Sequence, residues 1–201
     1  MNNQTSNSKF PQKIKYLVIK NFVYMRYMLI SVSCLMTSYL ISQERVEGKI
    51  IKNYGATFHV ADKEITTDTE TDFKVIFDIA ESPTDKSQIN KRIETAARFL
   101  NMHAHEGVPS EQLKVAMTIH GGAWQAVLTN EAYQEKFGVP NPNAKLIKEL
   151  NDAGVEIILC GQTASYREIS NKIRLPEVKL ALSAMTALIQ YQNNGYRFIK
   201  F

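Results

Sequence analysis

One stretch in the second half of the chain restricts the fold more than any other, and its residues 155–162 have the sequence V-E-I-I-L-C-G-Q. Its β-branched and apolar side chains predict a buried strand over Val155–Leu159, which leads into Cys160. The next residues, from Gly161 to Ser165, predict a turn into a helix. This order is typical of open α/β sheets, in which ligands bind at the carboxyl ends of parallel strands. We therefore expect Cys160 at the carboxyl edge of such a sheet.

Apolar runs of strand length alternate with helical patterns from residue 73 onward. The predicted strands are Phe73–Ala80, Gln112–Ile119, Val155–Leu159, Val178–Leu182 and Tyr196–Phe201. Five helices are predicted between these strands. The first runs from Ile89 to near Gly107, the second covers 130–138, and the third has Asn141 as its cap, Pro142 at its first position and Gly154 past its end. The fourth covers Ala164–Ser170 with Thr163 or Ser165 as its cap, and the fifth covers Ala184–Gln192. This alternation predicts a single α/β domain with three layers, α/β/α, around a mainly parallel five-stranded sheet. The strict alternation of the last strand predicts an edge position or one wet face.

The first 43 residues are predicted to be a signal sequence or membrane-targeting leader. They hold five of the 24 basic residues and none of the 20 acidic ones. Met28–Ile41 is a mostly apolar run behind this cationic stretch, as in a secretory signal, and is shorter than the roughly 20 residues of a membrane span. Met25 is a candidate for the true start, and an uncleaved membrane anchor is the main alternative to export. Residues 44–72 are polar and predict an extended arm before the domain at 73–201.

Charge and motifs argue against several classes of ligand. Since five of the 24 basic residues lie in the leader, the rest of the chain has 19 basic and 20 acidic residues. That balance does not favour nucleic acid, whose binding requires clustered cations. His120-Gly121-Gly122 follows the second strand but lacks the glycine spacing of nucleotide-binding loops. His103 and His105 face different sides of one helix and His59 is predicted to be exposed, so neither a metal nor a cofactor is predicted.

Cys160 is the remaining cysteine when Cys34 is assigned to the leader, so the mature chain has no partner for an internal disulfide. A lone thiol in an exported protein is buried and inert, paired between chains, or reactive. Backbone N–H groups at a helix amino terminus favour the thiolate and lower its pKa. Cys160 is therefore a candidate nucleophile, with a structural cysteine as the alternative. His120 is a candidate base or hydrogen-bond partner, with a structural histidine as the alternative.

Three other residues have a less specific interpretation. Trp124 is predicted to pack in the core or at an interface. Tyr166 and Arg167 are candidates for the mouth of a pocket, where Arg167 suits an oxyanion such as sulfite or thiosulfate. A hydrolase is not indicated, because the chain has no Gly-x-Ser-x-Gly elbow and the pattern supplies no third group to orient a Cys–His pair.

The segment from Leu150 to Thr163 has the pattern L-x-x-x-G-V-x-I-x-x-C-G-Q-T, and His120-Gly121 follows the second strand. With these residues, the region from about Phe73 to Phe201 resembles the DsrE/DsrF-like family of small sulfur-handling α/β proteins, especially exported members with an arm before the first strand. The resemblance implies a homo-oligomeric domain, trimeric or hexameric, whose cysteine near a subunit interface accepts sulfur as a persulfide. It assigns this role to Cys160. Binding neighbours are carried over at positions His120, Gly121, Gly161, Gln162 and Ser165.

The resulting hypothesis is an exported, periplasmic protein that binds or relays sulfane sulfur on Cys160, as a sulfurtransferase or a sulfur carrier. Its partners would be small sulfur species or a sulfur-carrier protein, with membrane contact only through an uncleaved leader. The alternative is a non-catalytic module that binds a small ligand or assembles with a partner and in which the cysteine is structural.

Overall fold

A parallel β-sheet forms the centre of the domain. The computed structural model describes residues 16–17, 19–28 and 44–200. The strands in this part of the chain are β1 (Arg45–Val46), β2 (Thr57–Phe58), β3 (Phe73–Ile79), β4 (Leu113–Ile119), β5 (Glu156–Cys160), β6 (Val178–Ala181) and β7 (Arg197–Ile199). Five of them form one sheet in the order β6-β5-β4-β3-β7, and every neighbouring pair is parallel. The predicted α/β fold, its five-stranded sheet and the edge position of the last strand are confirmed.

Helices follow the strands as the sequence pattern indicates. They are α1 (Lys91–His105), α2 (Asn130–Phe137), α3 (Ala144–Asp152), α4 (Gly161–Tyr166) and α5 (Ala184–Asn193), with short 3₁₀ helices over Ser110–Gln112 and Gly121–Val127. Polar side chains begin three of them: Asn90 accepts the N–H of Arg92 at α1, Thr129 accepts that of Ala132 at α2, and Ser183 accepts that of Thr186 at α5. Gly138 ends α2 with a φ of +78°, a left-handed conformation that favours glycine.

The predicted start of α3 is wrong. Neither a cap at Asn141 nor a first helical residue at Pro142 is found, because the helix begins at Ala144. The side chain of Asn141 is instead buried, and its amide donates to the carbonyl oxygens of Ala126 at 2.9 Å and Leu128 at 2.6 Å. The side chain of Asn141 therefore links the preceding 3₁₀ segment to the residues that lead into α3.

The predicted bounds of α4 are also wrong. The helix does not cover Ala164–Ser170 but begins at Gly161, directly after the last residue of β5. Cys160 itself occupies the N-cap position, so neither Thr163 nor Ser165 caps the helix. No residue separates the strand from the helix, and the cysteine is both the last residue of the strand and the N-cap of the helix.

The two faces of the sheet differ in composition. Odd-numbered residues of β3, β4 and β5, such as Phe77, Met117 and Ile157, belong to the main hydrophobic core together with buried residues of α1 and α3. The alternate residues point to the opposite face, because successive side chains of a strand alternate. On that face Asp78, Thr118 and Ile158 are register partners across three strands. Helix α5 packs against this face and contacts all five strands.

Residues 44–72 lie on α1. They contain the antiparallel pair β1 and β2, and β2 contacts α1. Asn101, fully buried in α1, hydrogen-bonds through its side chain to the backbone of Ile50, Ile51, Tyr54 and Gly55. This one side chain therefore anchors the loop between β1 and β2.

The described residues before position 44 belong to a compact unit of their own. Residues 16–17 and 19–28 are helical and exposed. The predicted apolar run Met28–Ile41 lies outside the described residues apart from Met28. Among the residues that the structure describes, no helix combines the length and apolar character needed to cross a membrane.

Candidate functional site

Cys160 lies where the amino termini of two helices meet. It is the last residue of β5 and is 6% exposed. The groups that act on its thiol are the backbone N–H groups of Gln162 and Thr163 in α4, the hydroxyl of Thr163, and the backbone N–H of Ala184, the first residue of α5. The sulfur is therefore surrounded by donors that α-helices leave unpaired at their first turn.

These donors determine the protonation of the thiol. Burial raises the pKa of Cys160, but the nearby donor groups of Thr163, Ala184 and Gln162 lower it by more, so the net pKa lies below that of an ordinary cysteine. The donors stabilise the anion because hydrogen bonds to a charged form favour that form. The thiolate, which is the nucleophilic form, is accordingly favoured at this position.

Glycine at position 161 is a steric requirement. A Cβ there would lie 2.5 Å from the carbonyl oxygen of Ala181 and 2.9 Å from that of Leu182. The side chain of the exposed Gln162 donates to the same Leu182 oxygen at 3.3 Å, so it ties α4 to the end of β6. Gly161 and Gln162 together bring the N–H groups of α4 close to the sulfur. Ser165 lies on the exposed side of α4.

His120 directly follows β4 and is bound to a buried carboxylate. Its Nε2 lies 2.7 Å from Oδ1 of Asp78. Asp78 is 8% exposed and also accepts the hydroxyl of Thr118 at 3.2 Å and the Nζ of Lys200 at 3.0 Å. Burial raises the pKa of Asp78, but these partners lower it by more, so the net pKa is below the ordinary value. The carboxylate thus carries a full charge next to the imidazole.

Strand register brings His120 and Cys160 to neighbouring positions. Ile119 and Leu159 are paired Cα partners in β4 and β5, and the two candidate residues come immediately after them. His120 lies two residues after Thr118, and Cys160 lies two residues after Ile158; Thr118 and Ile158 are on the side of the sheet that α5 covers. Because successive side chains of a strand alternate, His120 and Cys160 are on that side as well. Gly121, with a φ of +52° and its Cα beside the Ala80 carbonyl, forms the turn after His120.

Comparison with known proteins identifies the family. The model of the DsrE/DsrF-like family matches residues 74–201, which is more than half of the chain. The chain belongs to the DsrE/DsrF-like family. Among solved structures, this DsrE/DsrF-like chain is similar to a protein of unknown function from Methanobacterium thermoautotrophicum, at 17% identity and a TM-score of 0.48, over 65% of this chain and 100% of that one. It is also similar to the ychN protein from E. coli, at 17% identity and a TM-score of 0.47, over 64% of this chain and 98% of that one. No curated protein matches.

Asp78, Thr118 and Lys200 are the site residues that sequence analysis missed. Asp78 had a visible signal, because it is the one acidic residue in the strand F-K-V-I-F-D-I, which is otherwise apolar after Lys74. A buried carboxylate requires partners, and this could have marked the position. Lys200 gave no comparable signal, since it directly follows β7, a strand more than a hundred residues away that joins the sheet beside β3.

Trp124 and Arg167 form a separate cluster in this DsrE/DsrF-like domain. The guanidinium of Arg167 lies 5.4 Å from the ring centre of Trp124 and 5.0 Å from that of Tyr166. Trp124 is 9% exposed and also has the Nζ of Lys136 at 5.5 Å from its ring centre. Trp124, Lys136 and Arg167 border a cavity of about 370 Å³ whose lining does not include Cys160. Arg167 is therefore engaged with aromatic rings at a cavity that Cys160 does not line.

The histidines of α1 have structural contacts. His103 packs against the rings of Phe73 and Phe99, and its Nδ1 lies 2.8 Å from the Phe99 carbonyl oxygen. His105 Nε2 lies 2.8 Å from the carbonyl oxygen of Glu47. Within the described part of the chain, no three His, Cys, Asp or Glu residues are grouped so that they could hold a metal ion.

Proposed function

We propose that this DsrE/DsrF-like protein accepts sulfane sulfur on Cys160 as a persulfide and passes it on. The observation that carries the proposal is the set of backbone N–H groups from α4 and α5 around the thiol. Such donors stabilise an anion at the sulfur, and both the attacking thiolate and the product persulfide are anions. The same arrangement therefore supports the chemistry before and after transfer.

The transfer needs no cofactor. The thiolate of Cys160 attacks the outer sulfur of a donor, a new S–S bond forms, and the donor's S–S bond breaks with its electron pair on the leaving group. The number of S–S bonds is conserved, so no external oxidant or reductant takes part. Delivery to an acceptor thiol is the same reaction in reverse order.

The low exposure of Cys160 favours small donors over a docked protein. Only 6% of the residue is exposed, and α5 covers its side of the sheet. A small sulfur species needs little space to reach a thiol of such low exposure, whereas we expect a carrier protein to need α5 to move. We therefore place small sulfur species first among the partners and a sulfur-carrier protein second.

We further propose that the chain forms a homo-oligomer, trimeric or hexameric as its resemblance implied, through the surface next to this site. Leu182, Met185 and Ile189 are large apolar residues that are exposed at the start and along the outer side of α5. Contiguous exposed apolar side chains are unfavourable in a monomer and are typical of an interface. Light scattering coupled to size-exclusion chromatography tests this. Met185→Lys with Ile189→Lys should reduce the mass to that of a monomer, and a monomeric parent protein would overturn the proposal.

We also propose export, on the cationic and acid-free composition of residues 1–43 and the apolar run Met28–Ile41. Cell fractionation of a bacterium that expresses the full chain with a carboxyl-terminal tag tests it. A periplasmic product shorter than the full chain is expected for a cleaved leader, and a full-length membrane-bound product for an anchor. Full-length protein in the cytosol would refute export.

Mass spectrometry provides the direct test of sulfur acceptance. The full chain, incubated with a sulfane-sulfur donor, should gain one sulfur atom that a reducing thiol removes again. Cys34→Ser is the matched control and should gain it equally, whereas Cys160→Ser should not. Equal gain by both variants, or no gain by the parent protein, would overturn the proposal.

The second candidate function is a non-catalytic assembly or small-ligand module, and the observation that favours it is the same 6% exposure of Cys160. Alkylation separates the two. With Cys34→Ser as background, a reactive Cys160 should be alkylated by iodoacetamide in the native protein at neutral pH. A thiol that reacts only after unfolding would favour the structural role.

A further inference from the structure

The cavity of about 370 Å³ beside Trp124 is built from three segments: the 3₁₀ helix that contains Trp124, helix α2, and the residues after α4. Backbone hydrogen bonds join the first segment to the third. The N–H of Thr129 donates to the carbonyl oxygen of Ile173, and the N–H of Leu175 donates to that of Val127, each at 2.9 Å. Walls that the backbone already fixes need little ordering when a ligand binds. The volume lies in the range of small-molecule sites.

The end of α4 fixes Arg167 at this cavity. Arg167 is the C-cap of the helix, and Glu168 after it has a left-handed φ of +55°. The N–H of Glu168 donates to the carbonyl oxygen of Ser165 at 3.2 Å, and that of Ile169 donates to Ala164 at 2.8 Å. These two bonds form a Schellman motif, which closes a helix. Both Arg167 and the buried Ile169 consequently line the cavity.

Two cationic side chains border the cavity without a counter-ion. The guanidinium of Arg167 lies 5.4 Å and the Nζ of Lys136 lies 5.5 Å from the ring centre of Trp124, so the two charges are close to each other. In the part of the chain that the structure describes, neither side chain donates a hydrogen bond or forms an ion pair. The exposed Glu135 also lines the cavity. Two cations and one carboxylate leave a single positive charge, which suits a monoanion.

The rest of the lining is apolar and consists of Leu128, Ala132, Ile169 and Ile173 together with the indole of Trp124. Leu128 is 2% exposed and Ile169 is 6% exposed. An inorganic oxyanion would meet the two cations but would leave this aliphatic wall in contact with water. A ligand with a carbon chain would cover the wall and gain the free energy of apolar burial.

We propose that this cavity binds a small organic monocarboxylate with an apolar body. Arg167 binds the carboxylate, because the guanidinium presents paired N–H groups that match its two oxygens, and Lys136 adds a second positive charge. The carbon chain packs on the aliphatic wall. The site goes beyond the proposed function, since Cys160 does not line the cavity and binding involves no covalent step.

Tryptophan fluorescence provides a direct measurement, because the single tryptophan of the chain lies at this cavity. The full chain is titrated with hexanoate, which should bind saturably, and calorimetry gives the Kd independently. Acetate lacks four methylenes and should bind at least about 10-fold more weakly, since each buried methylene favours binding by up to about 4-fold. Hexanamide has a similar shape without the charge and should also bind about 10-fold more weakly, because charge-assisted hydrogen bonds are lost.

Variants test the two cations, with calorimetry as the measurement because a substitution beside Trp124 can itself change the fluorescence. Arg167→Gln should weaken hexanoate binding by about 10-fold, and Lys136→Gln by about 3-fold. Arg98→Gln is the matched control, since Arg98 is an exposed arginine of α1 that does not line the cavity. It removes the same charge and should change the Kd by less than about 2-fold, because distant exposed charges are screened.

Four results would overturn the proposal. They are no saturable binding of hexanoate, equal affinity for hexanamide, equal affinity for thiosulfate, and equal effects of Arg167→Gln and Arg98→Gln. Equal affinity for hexanamide would indicate apolar binding without charge recognition, and equal affinity for thiosulfate would indicate a site for inorganic oxyanions. Urea unfolding shows whether each variant is folded. If Arg167→Gln does not fold, the comparison of ligands on the parent protein decides the question.

Discussion

Asn101 is the residue at which a single change should have the largest effect on the amino-terminal part of the domain. Its side-chain oxygen accepts the N–H groups of Ile50 at 3.0 Å and Ile51 at 2.9 Å. Its amide nitrogen faces the carbonyl oxygens of Ile51 at 3.0 Å, Tyr54 at 2.9 Å and Gly55 at 3.1 Å. No other side chain type of this size has both donors and acceptors in these positions, because only an amide presents one oxygen and two N–H groups.

The magnitude follows from the number of bonds. An amide has two donor hydrogens and one oxygen with two lone pairs, so at most four full hydrogen bonds are formed here. Each contributes about 1 kcal/mol net, which gives about 4 kcal/mol for the side chain. In Asn101→Ala the loop can lift from α1 and bind water, which limits the penalty for its unpaired groups. We therefore expect the free energy of unfolding to fall by about 3 to 5 kcal/mol.

Urea unfolding followed by circular dichroism measures this loss, and limited proteolysis detects a released loop between β1 and β2. Asn53→Ala is the matched control, since Asn53 lies in the same loop but is exposed and makes its bond to the Glu149 carboxylate at 2.7 Å in solvent. Asn53→Ala should lower the free energy of unfolding by less than about 1 kcal/mol. If Asn101→Ala and Asn53→Ala cost the same within about 1 kcal/mol, the anchoring role of Asn101 is refuted.

Three further predictions concern the site. Gly161→Ala should lower the melting temperature and slow thiol alkylation, because its Cβ would lie 2.5 Å from the Ala181 carbonyl oxygen; an unchanged melting temperature would contradict the close approach. Thr163→Val removes a hydroxyl that lowers the pKa of Cys160, so the pKa of the thiol should be higher in the variant. The alkylation rate of the native variant should therefore rise at a higher pH than that of the parent protein, and an unshifted dependence of the rate on pH would contradict this prediction. The folded pKa of Asp78 is lowered, so its stabilisation is present above the unfolded pKa of about 3.9 and lost as pH falls through the folded pKa; the stability difference between parent and Asp78→Asn should therefore shrink with acidification, and a constant difference would refute it.

Local patterns were sufficient to predict the elements of the domain. Each strand of the parallel sheet was expected from a short apolar run, and the bounds differ from the structure by a few residues at most. The last strand could be assigned to an edge because its polar and apolar residues alternate, which a strand buried on both faces does not require. The errors at α3 and α4 arose where a polar residue has a tertiary partner, as Asn141 does, or where a strand passes directly into a helix, as at Cys160.

The composition of the site depends on contacts that no local pattern contains. The thiol could be placed at the end of β5, but the N–H of Ala184 comes from a helix that begins 24 residues later and returns across the sheet. Asp78 and His120 are 42 residues apart, and Lys200 joins them only because β7 pairs with β3. Strand order decides which side chains meet at the carboxyl edge, and apolar runs do not encode that order.

Helix α5 connects access to the site with the state of the thiol. It contacts every strand of the sheet on the side where Asp78 and Cys160 lie, and small residues such as Ala184 and Ala187 are its buried positions. Its first N–H, that of Ala184, is also one of the groups that lower the pKa of the thiol. A movement of α5 that admitted a larger donor would therefore remove one of the groups that keep the thiolate anionic and would raise its pKa. If the proposed sulfur transfer takes place, we therefore expect its donor to be small enough to enter beside α5 without displacing the helix.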